Sequence, residues 1–158
     1  MSVLSMDVSV QNFEPITVAS VRHTGPYSEC EEAWHALCGN PDVHAVLGPN
    51  TKYLGICYDN PDTVDPNNIR YDACVTIPEE QEFGEGIVTQ TVEGGKYAVY
   101  TYQGSYEELQ EAYRKLYGEW LPQNGHTPVD GPTIEVYLNH PQQTPPEELL
   151  TEIRIPLQ

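Results

Sequence analysis

The feature that most constrains this chain is that it states one pattern twice. At an offset of 79 residues, Gly25, Tyr27, Glu29, Ala33 and Leu37 fall on Gly104, Tyr106, Glu108, Ala112 and Leu116, with Trp34 on Tyr113. Further along, Tyr58 falls on Tyr137 and Asn60 on Asn139. The halves end in "VTIP" and "IRIP", where the register has slipped by one. A chain of 158 residues built this way is one domain of two small halves, with repeats at about 12–79 and 86–158. At that length it can bury a core without metal or disulfide staples.

Each half reads strand, helix, strand, strand. The opening strands are "EPITVASVRH" near 14–23 and "KYAVYTYQ" at 96–103, rich in the Val, Thr and Tyr that suit a pleated surface. A glycine turn follows, then a helix. Cys30, Ala33, Trp34 and Leu37 share one helical stripe, and Leu109, Ala112, Tyr113, Leu116 and Trp120 share another. Ser28 with Glu31, and Ser105 with Glu108, have capping-box spacing. The remaining strands are 53–58 and 71–77 in one half and 133–138 and 151–156 in the other, with the acidic linker "EEQEFGEG" between halves. One helix covers one face of each sheet. The expected fold is therefore α+β: duplicated βαββ units in pseudo-twofold arrangement, antiparallel sheets, and a ligand cleft between the halves.

Charge narrows the function. The chain carries 24 acidic residues against seven basic ones, a formal charge of −17. Phosphate binding needs clustered Lys and Arg, so direct nucleic-acid binding is not expected, whereas cations are attracted. No apolar run is long enough to cross a bilayer, and "MSVLSMDVSVQNFEP" lacks the basic and apolar segments of a signal peptide. Cys30, Cys38, Cys57 and Cys74 are widely spaced, without a C-x-x-C pair, which suggests reduced thiols in a cytoplasmic protein. The five histidines show no ligand spacing with them, and no nucleotide-loop, hydrolase-elbow or zincin motif occurs. Neither metal nor cofactor is expected.

The strand "TIEVYL" carries the sharpest candidate. Ile134, Val136 and Leu138 make one face, Glu135 and Tyr137 the other. If the apolar face packs on the helix, Glu135 and Tyr137 point away from it. The 79-residue offset puts Ile56 and Tyr58 at the matching places, so the central surface carries Ile56, Tyr58, Glu135 and Tyr137. An isoleucine in one repeat and a glutamate in the other means that the repeat does not require the acid. A carboxylate framed by aromatic rings suits an organic cation, each ring contact adding roughly 0.5–2 kcal/mol. Eleven tyrosines and two tryptophans against two phenylalanines suit an amphipathic cavity. Local sequence leaves the plainer reading open: a strand glutamate that is solvated, or paired with Arg70 or Arg154.

Taken together, the duplication, "YDNPDTVDPNNIRYDACVTIP", "EGIVTQTVEGGKYAVY" and "IEVYLN" resemble the GyrI-like small-molecule-binding family, from about residue 12 to the end. That family includes stand-alone DNA gyrase inhibitory proteins and the effector-binding domains of AraC-type and multidrug-responsive regulators. The resemblance implies two βαββ units with a ligand cleft, in which Glu135 meets cationic, lipophilic ligands. It also makes Tyr137, Tyr58, Tyr71, Trp34 and Trp120 candidate cleft aromatics, although both tryptophans also fit a core role. The chain has no room for the regulators' helix-turn-helix domain. The expected function is binding of an amphipathic, cationic, drug-like molecule. The alternatives are inhibition of DNA gyrase by protein contact, and hydrolysis of reactive electrophilic toxins by a glutamate and tyrosine acting on water. A binder is favoured over an enzyme.

Overall fold

The computed structural model describes residues 7–26, 29–60, 63–78, 81, 83–84, 86–129, 131–139 and 143–158. Tyr27, Ser28, His140 and much of the linker at 79–86 lie outside these residues. So does the capping box proposed for Ser28 and Glu31.

The chain is α+β, and its two compact units are Glu14–Gly94 and Met1–Phe13 with Gly95–Gln158. In the unit 14–94, strand β2 (Ile16–Thr24) leads through helices α1 (Glu31–Cys38) and α2 (Pro41–Val46) to β3 (Tyr53–Cys57), β4 (Arg70–Thr76) and β5 (Val88–Val92). In the other unit, β1 (Val8–Phe13) joins β6 (Gly95–Gln103), helix α3 (Leu109–Lys115), β7 (Thr133–Tyr137) and β8 (Leu150–Pro156). The sheets run β3-β4-β2-β5 and β7-β8-β6-β1, with antiparallel neighbours. The βαββ core of each half is as expected. The added strands are exchanged: β1 runs directly into β2 but pairs with β6, while β5 runs into β6 but pairs with β2.

The repeat holds an offset of 79 only as far as the helix. Gly25 N–H bonds Ile69 O, and Gly104 N–H bonds Leu149 O. Likewise Tyr58 N–H bonds Arg70 O, and Leu138 N–H bonds Leu150 O. From the strand after the helix onward, equivalent residues thus lie 80 apart. One residue more between the start of the helix and β7 turns every side chain of the alignment to the opposite face. The true counterparts are Gly55 for Glu135, Cys57 for Tyr137 and Asp59 for Asn139. The expected matches of Ile56 with Glu135 and Tyr58 with Tyr137 are corrected by this slip. Gly25 and Gly104 are a true pair, with φ of 137° and 148°, a region that L side chains avoid.

In the unit containing β6–β8, Leu109, Ala112, Leu116, Trp120 and Leu121 pack on Ala98, Ile153, Ile155 and Leu157. Helix α3 continues through a π-helical turn, Leu116–Trp120, into a last turn at Leu121–Gln123. Pro122 has no N–H, and its ring crowds the carbonyl four residues earlier; the wider turn relieves that conflict. Ser105 makes no side-chain cap, correcting the proposed box there: a 3-10 turn, Tyr106–Glu108, starts the helix instead. On the other sheet face, the Arg154 guanidinium lies 3.9 Å over the Phe13 ring and its Nε donates to Glu152 at 2.6 Å, which fastens β1 to this unit.

The other unit buries a charge in its sheet. Asp72, 3% exposed, accepts hydrogen bonds from the Arg22 guanidinium, from Tyr58 Oη at 2.7 Å and from Gln90 Nε2 at 3.0 Å. Burial alone would raise the carboxyl's pKa, but the donors from Arg22, Gln90 and Tyr58 outweigh it and hold it below its usual 3.8. Burial, then the bond to Asp72, pushes the Tyr58 phenol up to about 12. All four cysteines are free thiols, and burial raises the pKa of Cys38 and Cys74. A carboxylate with a depressed folded pKa stabilises fully above its unfolded value and loses that contribution as pH falls through the folded one. D72N is therefore expected to lose about 2 kcal/mol at pH 7 in urea unfolding. Its deficit against the unmodified protein should shrink as pH drops below 3.8. A deficit that stays constant down to the acid limb excludes the carboxylate charge as its source.

Candidate functional site

Glu135 sits in the middle of β7, 7% exposed, on the sheet face that carries the helix. Register fixes that face. Ala98, Tyr100 and Tyr102 of β6 pack with the helix core, and they stand opposite Ile155, Ile153 and Thr151 of β8. Ile153 and Thr151 in turn stand opposite Glu135 and Tyr137. The expectation that Glu135 points away from the helix is therefore reversed. Ile134 and Val136 take the other face, opposite Arg154 and Glu152, and are themselves 3% exposed. Both faces of β7 are buried, so apolarity did not identify the helix side.

Tyrosines make this burial feasible. Tyr113, on α3, donates from Oη to Glu135 Oε2 at 2.5 Å, and Tyr137 donates to Oε1 at 2.8 Å. One turn beyond Tyr113, Tyr117 shares a hydrogen bond of 3.0 Å with Thr133 Oγ1. Tyr106 meets Tyr137 edge-on, ring centroids 5.8 Å apart. Tyr106 and Tyr117 are 39% and 41% exposed, so the cluster runs from a buried acid to aromatic surface. A buried carboxylate is tolerable only when its oxygens are hydrogen-bonded. The reading of Glu135 as a solvated strand glutamate does not hold, since the residue is buried; Arg70 pairs with Asp59 at 2.9 Å and Arg154 with Glu152 at 2.6 Å.

The other sequence candidates divide by face and unit. Trp120 lies in the helix core, stacked on His126 at 5.4 Å, which is its core reading. Ile56 stands opposite Asp72, and Tyr58 bonds it, on the sheet face turned from α1. The Tyr58 ring lies under two guanidinium groups, Arg22 at 4.8 Å and Arg70 at 5.4 Å. Tyr71 is 2% exposed, opposite His23 and Cys57 on the face that meets α1. Trp34 of α1 meets Tyr53, 6.4 Å between centroids, on that same face. The structure thus brings together Glu135 and Tyr137, and adds Tyr113, Tyr117, Tyr106 and Thr133. Tyr113 and Tyr117 are spaced i, i+4 on the helix, a signal visible in the sequence. The Asp72 network was also missed, although an aspartate inside the apolar run "YDACVTI" marks it.

Comparison with known proteins agrees with this architecture. The chain is 30% identical over 131 residues to a DNA gyrase inhibitor of Yersinia enterocolitica, an alignment covering 80% of this chain and 82% of that protein. Among solved structures, the EcmrR C-terminal domain superposes with a TM-score of 0.83 at 17% identity, covering 98% of each chain. SAV2435, solved bound to tetraphenylphosphonium, superposes at 0.65 with 20% identity, covering 97% of this chain and 94% of that one. The sequence model of the GyrI-like small molecule binding domain matches residues 6–158, and the chain belongs to that family.

Proposed function

We propose that this GyrI-like small-molecule binding domain takes an amphipathic organic cation, with Glu135 as its charge partner and Tyr113, Tyr137, Tyr106 and Tyr117 as its aromatic surround. The observation that carries this reading is the buried carboxylate held by phenols. A phenol donor carries no positive charge of its own, unlike the guanidinium on Asp72. An ionised carboxylate in low-dielectric surroundings attracts a cation strongly. Aromatic faces then add flat apolar area and cation–π attraction. The likeness to SAV2435, solved with a lipophilic cation, supports the ligand class. The net charge of −17 favours the approach of a cation from solution.

Titration calorimetry with tetraphenylphosphonium tests the charge, with neutral triphenylphosphine oxide as control. E135Q should weaken the cation about tenfold or more and leave the neutral compound unchanged. Equal affinity of both proteins for tetraphenylphosphonium removes Glu135 from the site.

A second reading is carried by the relatives named DNA gyrase inhibitor, which the chain matches over most of both lengths. In it the protein restrains gyrase by contact, an acidic surface meeting a DNA-handling partner. Purified protein should then slow supercoiling by purified gyrase in proportion to its concentration; full supercoiling at large molar excess rules it out. Hydrolysis asks more of the same carboxylate. Glu135 would have to take a proton from water while accepting two phenol hydrogen bonds, which lower its basicity.

A further inference from the structure

One hydroxyl beside Glu135 is buried without any hydrogen bond. Thr151 is 0% exposed, and among the described residues its Oγ1 has no partner. It lies on β8 between Tyr137 of β7 and Tyr102 of β6, opposite both in register, on the face that carries Glu135. Residues facing each other across an antiparallel pair hold their Cβ atoms about 5 Å apart, and diagonal neighbours about 7–8 Å. Thr151 is thus a direct neighbour of Tyr137 and a diagonal one of Glu135. The equivalent position in the other unit, 80 residues earlier, is Tyr71. There a ring fills the place that Thr151 leaves to a short side chain.

Burying an unpartnered hydroxyl is costly, and valine has nearly the same shape without that cost. A polar residue kept at such a place is explained by a partner that arrives from outside. We propose that Thr151 is a specificity-determining residue of the cation site, its Oγ1 accepting a hydrogen bond from an N–H donor borne on the ligand's charged atom. The site then prefers a protonated amine over a lipophilic cation with no donor. This rests on the reading of Glu135 as charge partner: the ammonium sits between the carboxylate and the threonine hydroxyl, and its aryl groups lie against the tyrosines.

Two probes of similar bulk separate the possibilities: protonated triphenylmethylamine, which carries N–H donors, and tetraphenylphosphonium, which carries none. In T151V the affinity for the amine should fall about five- to tenfold and that for the phosphonium should stay unchanged. T151S, which keeps the hydroxyl, should restore amine binding. Without ligand, T151V should melt at an equal or higher temperature than the unmodified protein, because an orphan polar group has been removed. Equal losses for both probes, or no loss for the amine, overturn the assignment while leaving the cation reading intact. A lower melting temperature for T151V also overturns it, since the hydroxyl then has an internal partner such as a buried water. If the unmodified protein binds neither probe, and E135Q behaves identically, the cation reading fails and the threonine assignment fails with it.

Discussion

Glu135 can lie beneath a helix only because hydroxyl groups come with it. An isolated carboxylate moved from water into an apolar layer costs many kcal/mol, and hydrogen bonds must return most of that. Here the donors come from two elements, Tyr113 on the helix and Tyr137 on the same strand. The bond from Tyr113 fixes a distance between helix and sheet. The contact from Tyr117 to Thr133 adds a second tie one turn later. The helix of this unit is therefore positioned by polar contacts along β7 and by apolar packing over β6 and β8. Changes around the carboxylate are transmitted directly to the seating of α3.

Much of the fold could be read from the sequence because each element repeats. The stripes Ala33–Leu37 and Ala112–Leu116 mark helices, and the Val- and Tyr-rich runs mark strands. Strands β1 and β5 escaped notice for a physical reason. "VSVQNF" is mostly exposed and "VTQTV" is only partly buried, without an alternating pattern, so burial imposes little alternation on them. Their partners, β2 and β6, are the strands that follow the other copy of their own motif, and no local signal reports such an exchange. Helix α2 was legible but unread: Asn40 accepts bonds from the Asp42 and Val43 amides, and Pro41 takes the first turn, a standard opening.

The site was legible by residue and misread by face. Alternation in "TIEVYL" separates Glu135 and Tyr137 from Ile134 and Val136, but does not say which pair meets the helix. When both faces are buried, the apolar one is not necessarily the helix one. The answer lay on the partner element: a helix offering Tyr113 and Tyr117 at adjacent turns presents hydroxyls to a strand, and such a strand can carry an acid. The one-residue slip was invisible for a related reason. One inserted residue barely alters composition, while in the strand that follows it exchanges the two faces.

The two halves place buried carboxylates in two different settings. Each has a carboxylate-bearing strand, and the outcome depends on which face the acid takes and what it meets. Asp72 lies on the face away from α1, where β2 brings Arg22 into register beside it. Its charge is cancelled by a fixed cation, and the pair serves the sheet. Glu152, its counterpart 80 residues on, meets Arg154 in the same way. Glu135 is an addition to this scheme, on the helix face, where the other repeat has Gly55. A glycine there asks nothing of its surroundings. A glutamate has to be accompanied by donors, here Tyr113 and Tyr137. A fold that needed only stability would gain more from an apolar side chain at that position. That cost is what the proposed cation site would account for, in which the buried acid meets a positive centre and the exposed rings of Tyr106 and Tyr117 meet its apolar arms.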